Sequence, residues 1–210
     1  MSARFLRIAI LAIVAFAGGL LIARAVFPPR PTVSTERATV LPGAQPLPAL
    51  DLVDQDGRPL GADFFEGHWT IVFFGYTSCP DVCPTTLATL AQAMKAMADL
   101  SPAERPRVLL VTVDPERDDP ARLAAYVRFY DPSFLGATGT PAAVAAAAAA
   151  FGVPFAKVTL PEGGYTMDHG SALAIVGPRG AIVAYSSAPH EAQAIERDYR
   201  KIVAYTGGKP

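Results

Sequence analysis

Two continuous apolar runs constrain the fold of this chain more than any other feature. The runs are "WTIVFFGY" at 69–76 and "RVLLVTV" at 107–113, and apolar residues recur at helical spacing between them, from Leu87 to Met97. A run of this kind is typical of a strand that is buried on both faces of a sheet. Two such strands joined by a helix form a right-handed βαβ unit in nearly all known cases. We therefore expect an α/β protein.

Further elements on both sides extend this alternation. The segments 50–60 and 172–185 each predict a hairpin, the first of which turns at Asp56-Gly57. Helix signals of capping residues, prolines and apolar spacing mark three more segments. The expected helices begin at Asp119-Pro120, run from Thr140-Pro141 to Gly152, and cover 189–205. Strands and helices in alternation predict an α/β sandwich over residues 49–206, with a hairpin at its N-terminal end.

The first 48 residues have a different character. Arg4 and Arg7 precede an uncharged apolar run, Ile8–Ala23, which at about 1.5 Å per residue is roughly 24 Å long. Residues 1–27 are therefore predicted to be a transmembrane anchor, since flanking arginines can reach the two interfaces. A cleaved signal peptide is the alternative, because residues 23–25 resemble an A-x-A cleavage site. Residues 28–48 are rich in proline and predict an extended tether.

Charge and topology restrict the partners and the location. The formal net charge is −1, so the chain lacks the overall basic charge that nucleic-acid binding requires. The basic residues before the apolar run are expected to stay in the cytoplasm. Both readings of the N-terminus therefore place the domain on the extracytoplasmic, periplasmic side of the inner membrane.

The chain has only two cysteines, Cys79 and Cys83, in "FGYTSCPDVCPTTL". They follow the first buried strand and begin the next helix, which is where thioredoxin-like folds keep their reactive thiols. A helix N-terminus is expected to stabilise the thiolate of Cys83. At spacing i, i+4 in a helical turn, both sulfur atoms can approach one point. A structural disulfide, a redox-active dithiol and a metal site all remain open, and a metal site needs a further ligand.

Histidine is the best candidate for that ligand, and the chain has three. His68 and His190 are interpreted as ordinary surface or helix-start residues. His169 directly precedes a buried strand, in a loop that faces the dithiol in thioredoxin-like folds, so it is the predicted third ligand. Asp168 is expected either to orient the imidazole or to cap a turn, and Met167 is expected to pack.

Four segments resemble the SCO/SenC family of copper-binding cytochrome oxidase assembly proteins. They are "FFGYTSCPDVCPTTL", "VTVDPERDDP", "YVRFYDPSFLGATGTP" and "YTMDHGSALAIVGPRG". The resemblance implies a thioredoxin-like domain behind a membrane anchor, with copper held by Cys79, Cys83 and His169. It also implies a partner, the binuclear copper site on subunit II of cytochrome c oxidase. Other periplasmic copper chaperones are further candidate partners.

The same resemblance extends to residues around the ligands. Asp81 matches the motif and either tunes metal affinity or forms a turn, and Asp114 matches as a strand-end residue. The residue after the histidine is Gly170, where the family often has serine, so the histidine loop is expected to differ slightly. A metallochaperone rather than an enzyme is the main hypothesis. A thiol–disulfide oxidoreductase using Cys79 and Cys83, or a copper or redox sensor, is the alternative.

Overall fold

The computed structural model describes residues 3–26 and 33–207, which form two units. The first unit is helix α1, Ala3–Val26. In neither described range is any helix both long and apolar enough to cross a membrane. The anchor over 1–27 therefore stays a prediction, and the part of the predicted tether at 28–32 lies outside the described residues.

The second unit begins at Val33 and alternates strands with helices, as the sequence predicts. Its elements are β1 Ala38–Pro46, β2 Val53–Asp54, β3 Thr70–Gly75, α2 Val82–Ala96, β4 Arg107–Thr112, α3 Pro120–Tyr130, β5 Leu135–Thr138, α4 Pro141–Ala150, β6 Phe155–Thr159, β7 Tyr165–His169, β8 Leu173–Gly177, β9 Ala181–Ser186 and α5 Ala192–Gly207. A short 3₁₀ turn, Ala62–Phe65, precedes β3.

Seven of these strands form one mixed sheet in the order β1-β9-β8-β3-β4-β5-β2. The strands β3, β4 and β5 are parallel, and β8 pairs antiparallel with β3. The side chains of β3 are all buried, because helices cover both faces of a sheet of this kind. The predicted βαβ unit is thus confirmed as β3-α2-β4, and it places the end of β3 beside the start of α2.

Local signals set the ends of the helices. The carboxylate of Asp119 accepts a hydrogen bond from the Arg122 amide at 2.7 Å, with Pro120 in the first helical position. The Thr140 hydroxyl accepts from the Ala143 amide at 3.1 Å in the same way. The predicted starts of both helices are confirmed. Each cap satisfies a backbone amide that has no partner within the helix.

The predicted tether is wrong from Ala38 onward, because residues 38–46 form the edge strand β1, paired with β9. The buried carboxylate of Asp198 on α5 accepts hydrogen bonds from three backbone amides just before and at the start of this strand, those of Glu36, Arg37 and Ala38. Proline is tolerated in an edge strand, where one side of the backbone needs no partner. Backbone hydrogen bonds hold this strand. Its proline-rich sequence shows no regular spacing of apolar residues, so the sequence does not predict it.

The sequence also gives no sign of a second, two-stranded sheet that β6 and β7 form together. We call residues 155–169 the β6–β7 hairpin. Four of the five residues of β6 are exposed, so the strand shows neither an apolar run nor an alternating pattern. The turn uses Gly163 and Gly164, both at positive φ, which glycine adopts without strain.

Candidate metal centre

The two cysteines lie on either side of the start of α2. Cys79 is in the loop that leaves β3, and Cys83 is in the first turn of the helix, which begins at Val82 rather than at the expected Pro84. The Cys83 amide donates to the Cys79 sulfur at 3.4 Å. Cys83 is fully buried, whereas Cys79 is half-buried. Both cysteines are free thiols, so they are available as a pair of ligands.

His169 completes a group of three at the end of β7. Its Nε2 atom lies 3.6 Å from the Cys83 sulfur, and the ligand atoms of all three residues lie within 4.8 Å of one another. Two thiolates that bind one ion at about 2.3 Å each are at most about 4.6 Å apart. A contraction of a few tenths of an ångström is therefore enough for all three to contact one soft cation.

The imidazole is oriented by the backbone. His169 Nδ1 lies 3.0 Å from the Gly170 carbonyl oxygen, and a carbonyl can only accept, so Nδ1 carries the proton. This leaves the lone pair on Nε2, the atom nearest the sulfur. The rings of Tyr76 and Phe73 pack edge-on against the imidazole, with centroids 5.9 and 6.1 Å away.

The proposed orienting role of Asp168 is not what the structure shows. Its side chain is exposed, because consecutive residues of a strand point to opposite faces. Met167 is buried and packs, as expected. His68 precedes β3 and Cys79 follows it, so the two lie at opposite ends of that strand, and His190 Nε2 donates to the Ser171 carbonyl at 2.8 Å. Asp81 is exposed and makes no side-chain cap at the start of α2.

Burial dominates the chemistry of Cys83. The pKa of its thiol is raised far above the ordinary value, chiefly because burial disfavours the charged thiolate. The sequence led us to expect the opposite, since a helix N-terminus stabilises a thiolate. Desolvation outweighs that effect here, so Cys83 is a neutral thiol at neutral pH. A metal ion that binds must displace its proton.

Two buried carboxylates support the site. The sequence indicated only a strand-end role for Asp114 and no role for Asp118. Asp118 is fully buried and accepts hydrogen bonds from the amide of Thr77 at 2.9 Å and from the hydroxyls of Thr77 and Thr112. These bonds fix the loop before Cys79 to the end of β4. Asp114 is also buried, and it contacts Arg117 and Tyr165. Only the motif "VDPERD" hinted at either residue.

We expect Gly75→Ala to weaken the affinity for copper(I), one of the two oxidation states of the metal that the family resemblance implies. An added Cβ would lie 2.9 Å from the Cys83 sulfur and 2.9 Å from Phe73 Cε1, so both side chains must shift. Overpacking of about 1–3 kcal/mol, relieved at the sulfur, corresponds to about a 5- to 150-fold loss. Competition with a chromophoric copper(I) chelator measures it.

The matched control is Gly177→Ala at the end of β8. There an added Cβ meets Val183 at 3.4 Å, which is ordinary van der Waals contact. We expect this variant to bind copper(I) like the unaltered chain. Equal affinities for both variants would show that the close approach at Gly75 does not set the position of the sulfur.

The fold and the three converging side chains define a thioredoxin-like protein with two thiols and one imidazole arranged for a soft metal ion. A sequence model of the SCO1/SenC family matches residues 43–204. The chain therefore belongs to the SCO1/SenC family.

Individual relatives agree with this assignment. The chain is 36% identical over 158 residues to a Stutzerimonas stutzeri protein whose name describes it as copper-binding, covering 75% of this chain and 77% of that one. It is 33% identical to the mitochondrial SCO2 homolog of Mus musculus, covering 74% of this chain and 61% of the relative. The crystal structure of Arabidopsis thaliana ScoI with copper bound superimposes with a TM-score of 0.71 at 28% identity, over 76% of this chain and 99% of that one.

Proposed function

We propose that this protein is a copper chaperone that assists assembly of the binuclear copper site of cytochrome c oxidase. The single observation that carries the proposal is the convergence of Cys79, Cys83 and His169 within 4.8 Å. Two thiolates and an imidazole select copper or zinc over magnesium and calcium, which prefer oxygen ligands. Copper is the choice between these two because relatives are named for it or were solved with it bound.

In this proposal copper is the cargo and the three side chains exchange it. Copper(I) is satisfied by the two sulfurs, and copper(II) gains from the imidazole nitrogen. Cys79 is half-buried, so an incoming thiolate of subunit II reaches the metal from its side first. As each incoming thiolate binds copper, one cysteine is released and takes up a proton. Burial of Cys83 favours that protonation and therefore favours release.

Copper titration of the purified chain, with its cysteines reduced beforehand and the reductant removed, tests the proposal. We expect one copper per chain, and thiolate-to-copper(II) charge-transfer absorption in the copper(II) form. His169→Ala removes the nitrogen ligand, so copper(II) binding should weaken by more than the roughly 10- to 100-fold that loss of an outer-shell partner costs. His190→Ala, a histidine outside the group, is the control.

Unchanged affinity for copper(II) in His169→Ala would remove the imidazole from the site. A chain that binds no copper when Cys79 and Cys83 are both reduced would end the chaperone proposal as a whole.

The second candidate function is thiol–disulfide exchange with a partner protein. The different exposure of the two thiols favours it, because the accessible Cys79 can attack a partner disulfide and Cys83 can then displace the partner thiol. The Cys79–Cys83 disulfide forms as the partner disulfide breaks, and the partner receives two electrons and two protons. Reduction of a partner disulfide that is unaffected by a copper chelator would favour this function.

We further propose that the domain lies on the periplasmic side of the inner membrane, with residues 1–27 as its anchor. Arg4, Arg7 and the apolar run that follows them support this proposal. Membrane fractions washed with alkaline carbonate should retain the full chain and release a chain that begins at Val33. Release of both would exclude the anchor.

A further inference from the structure

The β6–β7 hairpin presents His169 to the cysteines without belonging to the main sheet. Its two strands pair with each other, whereas the cysteines follow β3 at the centre of the seven-stranded sheet. The ladder hydrogen bonds that fix β3 therefore do not fix His169. The distance between the imidazole and the two sulfurs therefore depends on the short connection 170–172 to β8 and on side-chain contacts between the hairpin and the body of the domain.

The first of these contacts is built around Tyr165, the first residue of β7. Its hydroxyl donates to Asp114 Oδ1 at 2.9 Å, and the opposite oxygen of Asp114 accepts from Arg117 Nε. Arg117 Nη1 donates to the Tyr165 carbonyl at 3.1 Å, and its guanidinium carbon lies 3.9 Å from the centre of the Tyr165 ring. We call Asp114, Arg117 and Tyr165 the hairpin clamp.

The second contact joins the hairpin to the loop that carries Cys79. The Tyr76 hydroxyl lies 2.8 Å from the Thr166 hydroxyl, and the Tyr76 ring packs edge-on against His169. The Arg117 guanidinium lies 5.7 Å from the same Tyr76 ring. Arg117 therefore contacts an aromatic ring on each of the two segments that hold the ligands, and it does so as a partly buried cation.

We propose that Arg117 and Tyr165 are positioning residues that hold the imidazole at the metal site and thereby favour copper(II). This inference rests on the proposed copper function. Copper(I) is held by two thiolates, so a displaced imidazole costs it little. Copper(II) needs the nitrogen ligand, so the same displacement strongly lowers the affinity for copper(II). Loss of the hairpin clamp should therefore weaken copper(II) binding more than copper(I) binding, which changes the ratio of the two affinities.

The test compares the full chain in non-ionic detergent with its Arg117→Met and Tyr165→Leu variants. Copper(II) chloride is titrated by charge-transfer absorption and by electron paramagnetic resonance, which reports nitrogen coupling. We expect copper(II) affinity to fall about 10- to 100-fold, the usual effect of losing an outer-shell partner. Copper(I) affinity, measured by chelator competition, should change by less than about threefold, since the two sulfurs remain in place.

Two further variants separate positioning from general damage. Tyr165→Phe keeps the ring under Arg117 and loses only the bond to Asp114, so it should recover most of the copper(II) affinity that Tyr165→Leu loses. Lys157→Met removes an exposed cation that lies 4.1 Å from the centre of the same ring and pairs with Glu116. Exposed ion pairs contribute little, so this variant should bind both copper states like the unaltered chain.

A metal-free measurement keeps the two proposals apart. Without copper, Arg117→Met and Tyr165→Leu should increase the rate at which diethylpyrocarbonate modifies His169, because the ring is less well held. If the unaltered chain binds no copper and the variants are modified faster, the proposed copper function is refuted, whereas the role of the hairpin clamp in holding His169 is supported. Equal modification rates, or equal losses of copper(I) and copper(II) affinity, would overturn the positioning role.

Discussion

Replacing Asp198 with alanine is expected to lower the free energy of unfolding by about 3–5 kcal/mol, the largest effect on stability that we expect from a single residue. The Asp198 side chain is buried, with an exposed fraction of 1%. Its two oxygens accept hydrogen bonds from three consecutive backbone amides, those of Glu36, Arg37 and Ala38, at 2.7–2.9 Å. Alanine leaves all three donors without that acceptor, so α5 no longer holds the start of strand β1.

Urea unfolding of a chain that begins at Val33 measures this loss, with an unchanged m-value showing that unfolding stays two-state. Asp119→Ala is the matched control, because that carboxylate caps an exposed helix start with one bond and should cost only about 1 kcal/mol. The same argument predicts that a chain beginning at Leu50 is less stable than one beginning at Val33. A loss below about 1 kcal/mol for Asp198→Ala would contradict the role of this carboxylate.

Replacing Cys83 with serine is expected to reduce copper(I) affinity by more than about 100-fold, beyond what loss of an outer-shell partner costs. A hydroxyl is a hard, weak ligand for a soft cation. Cys79→Ser should reduce the affinity to a similar degree, because each cysteine supplies one of only two thiols in the chain. Chelator competition under reducing conditions measures both variants.

Thermal unfolding should distinguish the two serine variants where copper binding does not. Cys83 is fully buried and lies in the hydrophobic core, so serine there buries a polar group and lowers the melting temperature. Cys79 is half-buried, so serine there should leave the melting temperature nearly unchanged. A Cys83→Ser chain that keeps its copper(I) affinity would exclude the proposed site.

Elements with a local signal were predictable. The buried strands β3 and β4 and the capped starts of α3 and α4 lie where their residues indicate. Strand β1 and the β6–β7 hairpin were not predictable, because one is held through its backbone and the other is mostly exposed. An apolar period reveals only elements that bury side chains.

The candidate site divides in the same way. The sequence by itself determined which residues could be ligands, and it placed the two cysteines where β3 gives way to α2. The tertiary structure decided that His169, 86 positions from Cys83, reaches the same point, through a hairpin held by the clamp of Asp114, Arg117 and Tyr165. It also decided the protonation of Cys83, since the local helix start favours a thiolate whereas burial by distant segments favours the thiol. Capping and spacing act over a few residues, whereas desolvation and convergence depend on the whole packed domain.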